Sequence, residues 1–205
     1  MSPPPLLQFT LRDGTPIALR PIVPADRGRL LDGFEHLSET SRRLRFLGSV
    51  SSLSEAQLDY LTSTDGIDHV AWGTLDLSAP DAPGFGVGRW IRLDPDTHIA
   101  EFSLTVLDDM QGHGIGQLLL ATLAVIAESL DVTVLRGYVG RENTLMVGWL
   151  QRLGASTQEE DSDLILDIPV PPDPTSSSSA AEFVALMKEI HDAVQDQRAG
   201  WDDEL

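Results

Sequence analysis

The sequence predicts an α+β fold, with short helices and strands interleaved around one sheet. Three observations carry this. Short runs rich in β-branched and aromatic residues recur between turn signals. Amphipathic patterns of helical period separate them. A glycine-rich stretch, DDMQGHGIGQLLL at 108–120, joins a strand to a long apolar helix. With 205 residues, 41% of them hydrophobic, the chain suits one core with an appendage.

The elements follow in order. Residues 1–10 read as a short, proline-rich lead-in. Residues 15–21 (TPIALRP) suit a strand. Pro24-Ala25-Asp26 opens a helical pattern that carries Leu30, Leu31, Phe34 and Leu37. A second short helix is expected over 41–47 and a third from Ser54, with Leu58 and Leu61 on one side. Residues 69–77 and 86–93 form paired strands around a Pro/Gly/Asp/Ser loop at 78–84. Residues 97–106 (THIAEFSLTV) give the next strand, and a helix runs from about 114 to 129. A strand over 133–139, a helix over 142–153 stopped by Gly154, and a short strand over 164–168 complete the domain.

The expected division is a domain at 11–168, a Pro/Ser-rich linker at 169–179 (PVPPDPTSSSS) and an amphipathic helix at 180–198. Phe183, Leu186, Met187, Ile190 and Val194 recur at helical spacing. Burying each is worth roughly 1.5–3 kcal/mol, so this helix docks either on its own domain or on a partner chain, possible homodimers included. The final WDDEL reads as loose.

Composition narrows the function. The formal charge is −18, which argues against nucleic acid and anionic membranes as partners. It is uneven: residues 1–155 hold 19 acidic and 12 basic side chains, net −7, and residues 156–205 hold 13 and 2, net −11. Such a surface suits a cationic amine or a lysine-bearing protein, and it equally serves solubility. There are no cysteines, so disulfides and thiolate metal sites are excluded. The five histidines show no metal-ligand spacing, and no metal is expected. No secretory signal and no run of about 20 apolar residues is seen, and a cytoplasmic location is expected.

The glycines at 112, 114 and 116 sit where a strand turns into a helix. The first N–H groups of a helix lack intrahelical partners, and the dipole there is positive. Glycine lets the backbone twist and approach a phosphate closely. The stretch therefore fits a pyrophosphate cradle, or a glycine-rich turn without a ligand. Gln117 replaces the Lys of the nucleotide P-loop, and G-H-G-I-G departs from the dinucleotide pattern.

Gln111-x-x-Gly114-x-Gly116 resembles the coenzyme A pyrophosphate motif of the GNAT acetyltransferase superfamily. The order of elements is similar to that fold as well. ENTLMVGWLQRLGA looks like the family's asparagine-bearing helix, whose asparagine, here Asn143, faces the coenzyme. Asn143 equally suits a helix cap. LRPIVPADRGRLLDGFEHLSETSRRLRFLG, LSEAQLDYLT and AEFSLTV resemble the bacterial Pat-type protein-lysine acetyltransferases, with Ser38, Ser41, Arg45 and Phe46 matching a Ser-x-x-Ser-x-x-x-Arg-Phe signature. The resemblance covers about residues 11–168. It implies a three-layer α/β/α arrangement, a mixed, mostly antiparallel sheet, and a V-shaped split between the two central strands.

It also implies a chemistry: acetyl transfer from acetyl-CoA, as co-substrate, to a primary amine, a protein lysine or a small amine. Gln111, Gly112, His113, Gly114, Ile115, Gly116 and Gln117 would hold the pyrophosphate, although the His113 side chain equally suits solvent. Leu104, Thr105 and Val106 would hold the pantetheine, with an N–H near Leu104 as oxyanion donor. Asn143 and Met146 would face the coenzyme. An alkyl ammonium of pKa near 10.4 must lose a proton before attack, and Glu101 is the expected general base; read by alternation alone, it is a solvent-facing strand residue. The tyrosine that many relatives use as acid is replaced by Leu150, which leaves the general acid unassigned. A non-catalytic acyl-CoA-binding module is the alternative from another class.

Overall fold

The structure, a computed structural model, describes residues 6–79, 84–95 and 97–202, with side chains described as far as Gln197. One eight-stranded sheet has the order β1-β2-β3-β4-β5-β6-β8-β7. The strands are β1 (Leu7–Thr10), β2 (Pro16–Pro21), β3 (His69–Asp76), β4 (Gly86–Arg92), β5 (Ile99–Val106), β6 (Val134–Gly140), β7 (Ser156–Glu160) and β8 (Asp163–Pro169). Only β5 and β6 run parallel; the other neighbours are antiparallel. The helices are α1 (Arg27–His36), α2 (Glu39–Phe46), α3 (Glu55–Thr62), α4 (Ile115–Ser129), α5 (Thr144–Arg152) and α6 (Ser178–Asp202).

Side-chain alternation on β4 sets the layers. Trp90 is fully buried, and its indole N–H donates to the Leu123 carbonyl of α4 at 3.2 Å. Its neighbour Arg89 points to the opposite face and donates to the Leu61 carbonyl of α3 at 3.0 Å. So α4 covers one face of the sheet, and the α1–α3 group covers the other. The α4 sequence is apolar almost all round, with Ile115, Leu119, Leu120, Leu123 and Ala127 buried. Such a helix needs a second neighbour. That neighbour is α6, whose Phe183, Met187 and Ile190 join the same core in cis.

Several stretches differ from the sequence reading, among them β7, a strand it did not include. The lead-in supplies β1 from Leu7, paired with β2 and with Leu7 buried, while residues 1–5 lie outside the described residues. The stretch 169–179 is fastened rather than free. Val170 is buried and its N–H donates to Thr133 at 2.9 Å, while Ser177 caps α6 by accepting from the Ala180 N–H at 3.0 Å. The α6 helix also runs on through 201–202, the start of the WDDEL end expected to be loose; residues 203–205 lie outside the described residues, as do 80–83 of the expected loop. No helix among the described residues is long and apolar enough to cross a membrane.

Candidate active site

The parallel pairing of β5 with β6 is short. It joins Ile99, Ala100 and Glu101 to Val134, Leu135 and Arg136, then stops. Beyond it the strands part, which is the V-shaped split expected from the sequence. The wedge is Phe102, buried beside Gly137: a Cβ at position 137 would fall 2.8 Å from the Phe102 ring. From Phe102 to Val106, β5 keeps β4 on one side and has no strand on the other. Its main chain there is open to a ligand that hydrogen-bonds like a strand.

The split widens into a groove of about 510 Å³. One wall is Leu104, Thr105 and Val106 of β5; the other includes Tyr138 of β6, Asn143 just before α5, and Met146 and Trp149 of α5. At its end stand Gln111 and Gly116, where α4 begins. A 3-10 turn at Asp108–Met110 leads in, and Gly112 and Gly114 adopt φ of +81° and +92°. Most L side chains are strained at such angles, so these two glycines set the bend that presents the N-terminus of α4. Gly116 lies inside the helix, where its lack of a side chain leaves the wall of the groove clear.

The bend is clamped from outside. The Asp108 carboxylate accepts from the Ser38 N–H at 2.9 Å, the Ser38 hydroxyl at 2.8 Å and the Ser41 hydroxyl at 2.7 Å. Burial works against its ionisation, but these donors outweigh it and hold its pKa below the ordinary value. Gln111 Nε2 reaches the Val106 carbonyl at 3.3 Å and the Ser41 hydroxyl at 3.4 Å. Ser38 and Ser41, two residues of the signature, thus fix α2 to the loop after β5.

A second cavity, of about 480 Å³, shares Arg45 and Ser103 with the groove. Glu101 lines it, exposed and without a hydrogen bond or ion pair through its carboxylate among the described residues. Arg136, its register partner on β6, is held instead by Asp167 through two bonds of 2.7 Å. Arg45 and Arg89 also line this cavity. Burial pushes the pKa of Arg45 down, and the field of Glu101 opposes that. Burial, then repulsion from Arg45, pushes Arg89 down to about 10.

Of the residues expected at the coenzyme, Leu104, Thr105, Val106, Gln111, Gly116, Asn143 and Met146 line the groove together. Gly112, His113, Gly114, Ile115 and Gln117 do not. The Ile115 side chain is buried in the core, and His113 turns away, its Nε2 at 3.7 Å from the Asp13 carboxylate. The expected phosphate role of the His113 side chain therefore has no geometric support, and what the loop offers is main chain. The Asn143 side chain caps α5 by accepting from the Met146 N–H at 3.2 Å, and the residue also lines the groove. Leu150 is buried in the core. Sequence reasoning missed Asp108, Tyr138, Trp149 and Arg89, and gave Arg45 no role. A buried arginine inside the strand GVGRWIR was the one available signal. No cluster of three or more potential metal ligands occurs among the described residues.

No protein-family profile matches the chain. The chain is 35% identical over 164 residues, 79% of its length, to the acetyltransferase Pat of Mycolicibacterium smegmatis. It is 30% identical over 118 residues, 58% of its length, to an acetyltransferase of Pseudomonas aeruginosa. It spans 48% and 63% of those two proteins. The crystal structure of the GNAT domain of S. lividans Pat superposes with a TM-score of 0.74 at 24% identity, covering 80% of this chain and 96% of that one.

Proposed function

This chain has the GNAT fold and is similar to the Pat-type acetyltransferases, and we propose that it moves an acetyl group from acetyl-CoA to a primary amine, with a protein lysine as acceptor. The observation that carries the reading is the split. Where β5 loses β6, the open strand edge, the α4 N-terminus and the cavity holding Glu101 meet within one groove system.

In this reading the pantetheine lies along Leu104–Val106 as a substitute strand. Its diphosphate meets the N–H groups at the start of α4. The thioester carbonyl then lies at the divergence of the strands, where an N–H near Leu104 stabilises the oxyanion. Losing such a donor typically costs about a hundredfold to a thousandfold. The amine enters from the second cavity. Glu101 accepts its proton, directly or through a water; the N–C bond forms, the C–S bond breaks, and the thiolate takes a proton from solvent. A thiol of pKa near 8.5 is a good enough leaving group for that. The free carboxylate of Glu101 supports this role, because no neighbouring group is shown competing for its lone pairs.

The test is coenzyme A release with lysine peptides and small amines. Glu101→Gln should lower kcat about a hundredfold to ten-thousandfold while acetyl-CoA affinity stays the same. Unchanged turnover would remove Glu101 as the base. Tight acetyl-CoA binding with no turnover on any amine would favour the non-catalytic acyl-CoA-binding module. A small-amine acceptor is the second enzymatic reading, supported by the cavity of about 480 Å³ that Glu101 lines.

A further inference from the structure

The inward-facing arginines of this molecule divide into two kinds. Arg20 is paired with Asp26, Arg92 with Asp68, and Arg136 with Asp167. Arg45 and Arg89 have no carboxylate within ion-pair distance among the described residues, although the chain carries 32 acidic side chains. Both line the cavity of Glu101. Arg89 is 5% exposed. Its guanidinium donates to the Leu61 carbonyl at 3.0 Å and stands 3.0 Å from His69 Nε2. Burial and the charge of Arg89 hold His69 below its ordinary pKa, so it serves as a neutral acceptor. Three of the five N–H donors of Arg89 remain. Arg45 sits over the Phe46 ring at 4.9 Å and makes no hydrogen bond to a protein group among the described residues. It feels the field of Glu101 without forming an ion pair with it.

Two neighbouring guanidiniums, Arg89 buried and Arg45 partly buried, are costly to hold together unless an anion completes them. A planar fork matches a carboxylate in particular. The cavity also presents the free carboxylate of Glu101, so its walls offer a place for a cation beside a place for an anion. Building on the acetyl-transfer reading of this cavity, we propose that it takes an acceptor whose amine stands beside a carboxylate, with Arg45 and Arg89 binding the carboxylate and Glu101 facing the amine. The carboxylate is assigned to the acceptor rather than to the acyl group because Glu101 and Arg89 line this cavity and not the coenzyme groove, while Arg45 stands where the two meet. Such a pair has no net charge and escapes long-range repulsion by a protein of charge −18. It is found in a free amino acid and in a lysine flanked by an acidic residue.

Coenzyme A release is measured with acetyl-CoA and three probe sets: the standard amino acids, their carboxamides, and lysine peptides with Glu or Gln beside the lysine. Wild type should show a KM about tenfold to a hundredfold lower for the carboxylate member of a pair. Arg45→Gln should erase that advantage through KM more than through kcat, and Arg45→Lys should restore part of it. A preference confined to free amino acids identifies a small acceptor; one confined to the Glu peptides identifies a protein acceptor. The same amino acids and peptides are titrated calorimetrically without acetyl-CoA. Carboxylate-dependent binding that Arg45→Gln abolishes would uphold the site even if acetyl transfer failed. Acetyl transfer with equal use of acid and amide, and equal binding, would sink the site and leave the transferase reading intact. A carboxylate preference surviving both Arg45→Gln and a folded Arg89→Gln would also overturn it. So would one that follows succinyl-CoA against butyryl-CoA in place of the acceptor.

Discussion

Asp108 is one exposed carboxylate that collects three hydrogen bonds from the start of α2. An amide there keeps the shape but loses the charge and turns an N–H₂ towards two hydroxyls. Hydrogen bonds to charged groups are worth about 1.5–3 kcal/mol, and solvent reduces this exposed set to about 1 kcal/mol. Asp108→Asn should therefore loosen the bend before α4 and weaken acetyl-CoA about fivefold by calorimetry; an unchanged affinity would mean that the loop holds itself. Gly137 works from the other wall. An added methyl meets the Phe102 ring at 2.8 Å. Gly137→Ala should cost about 1–3 kcal/mol, because the ring has to move into the split, and should weaken acetyl-CoA with it. Gly148 is the control: in mid-α5 its added Cβ meets nothing nearer than 3.5 Å, so Gly148→Ala should hold or raise the melting temperature by a few degrees. Equal melting shifts in the two variants would sink the wedge argument.

At the scale of elements, β2 is joined to the turn that leads into α1 by Arg20 and Asp26, bonded at 2.7 and 2.5 Å with both side chains largely buried. Burial opposes ionisation of Asp26, but Arg20 and the Val23 N–H outweigh it, and its pKa falls below the ordinary value. A depressed carboxylate stabilises the fold above the unfolded pKa, about 3.9, and loses that contribution as pH falls through the folded value. Asp26→Asn should lower stability by about 3 kcal/mol at pH 7, and the gap to wild type should narrow below about pH 4. Melting curves from pH 7 to pH 3 check this, and a gap that stays constant would rule the pair out as the source. Elements that bury an apolar face were legible in the sequence. The β3 to β6 strands and α4 carry it in their own residues, as do Phe183 and Ile190 of α6. The β7 strand (STQEE) is exposed at every position and exists through its ladder to β8, so no alternation announced it. The β1 strand is four residues long behind prolines, and its partner on β2 supplies what its own length does not. The glycine bend was legible because its strain is local. The company of Arg45, Arg89 and Glu101 was not, since α2, β4 and β5 bring them together across 56 residues of chain.

At the scale of the whole molecule, charge works against the ligand that the groove suits. The chain carries −18, and acetyl-CoA is a polyanion. Lysine and arginine are scarce where the diphosphate would lie: Arg45 is the one basic side chain among the described residues that line the groove. In the proposed reading, binding there depends on main-chain N–H groups and the dipole of α4, which act only at contact. The long-range field is repulsive and is screened over about 10 Å at 0.1 M salt. Acetyl-CoA should therefore associate faster as salt rises from about 0.01 to 0.1 M, the reverse of a ligand steered by opposite charge. The dissociation rate should change less, because short N–H contacts to phosphate lie inside the screening length. Stopped-flow association at constant temperature and pH reads this directly. An association rate that falls with salt would mean that a local positive field guides the coenzyme, and the argument from main-chain amides alone would fail.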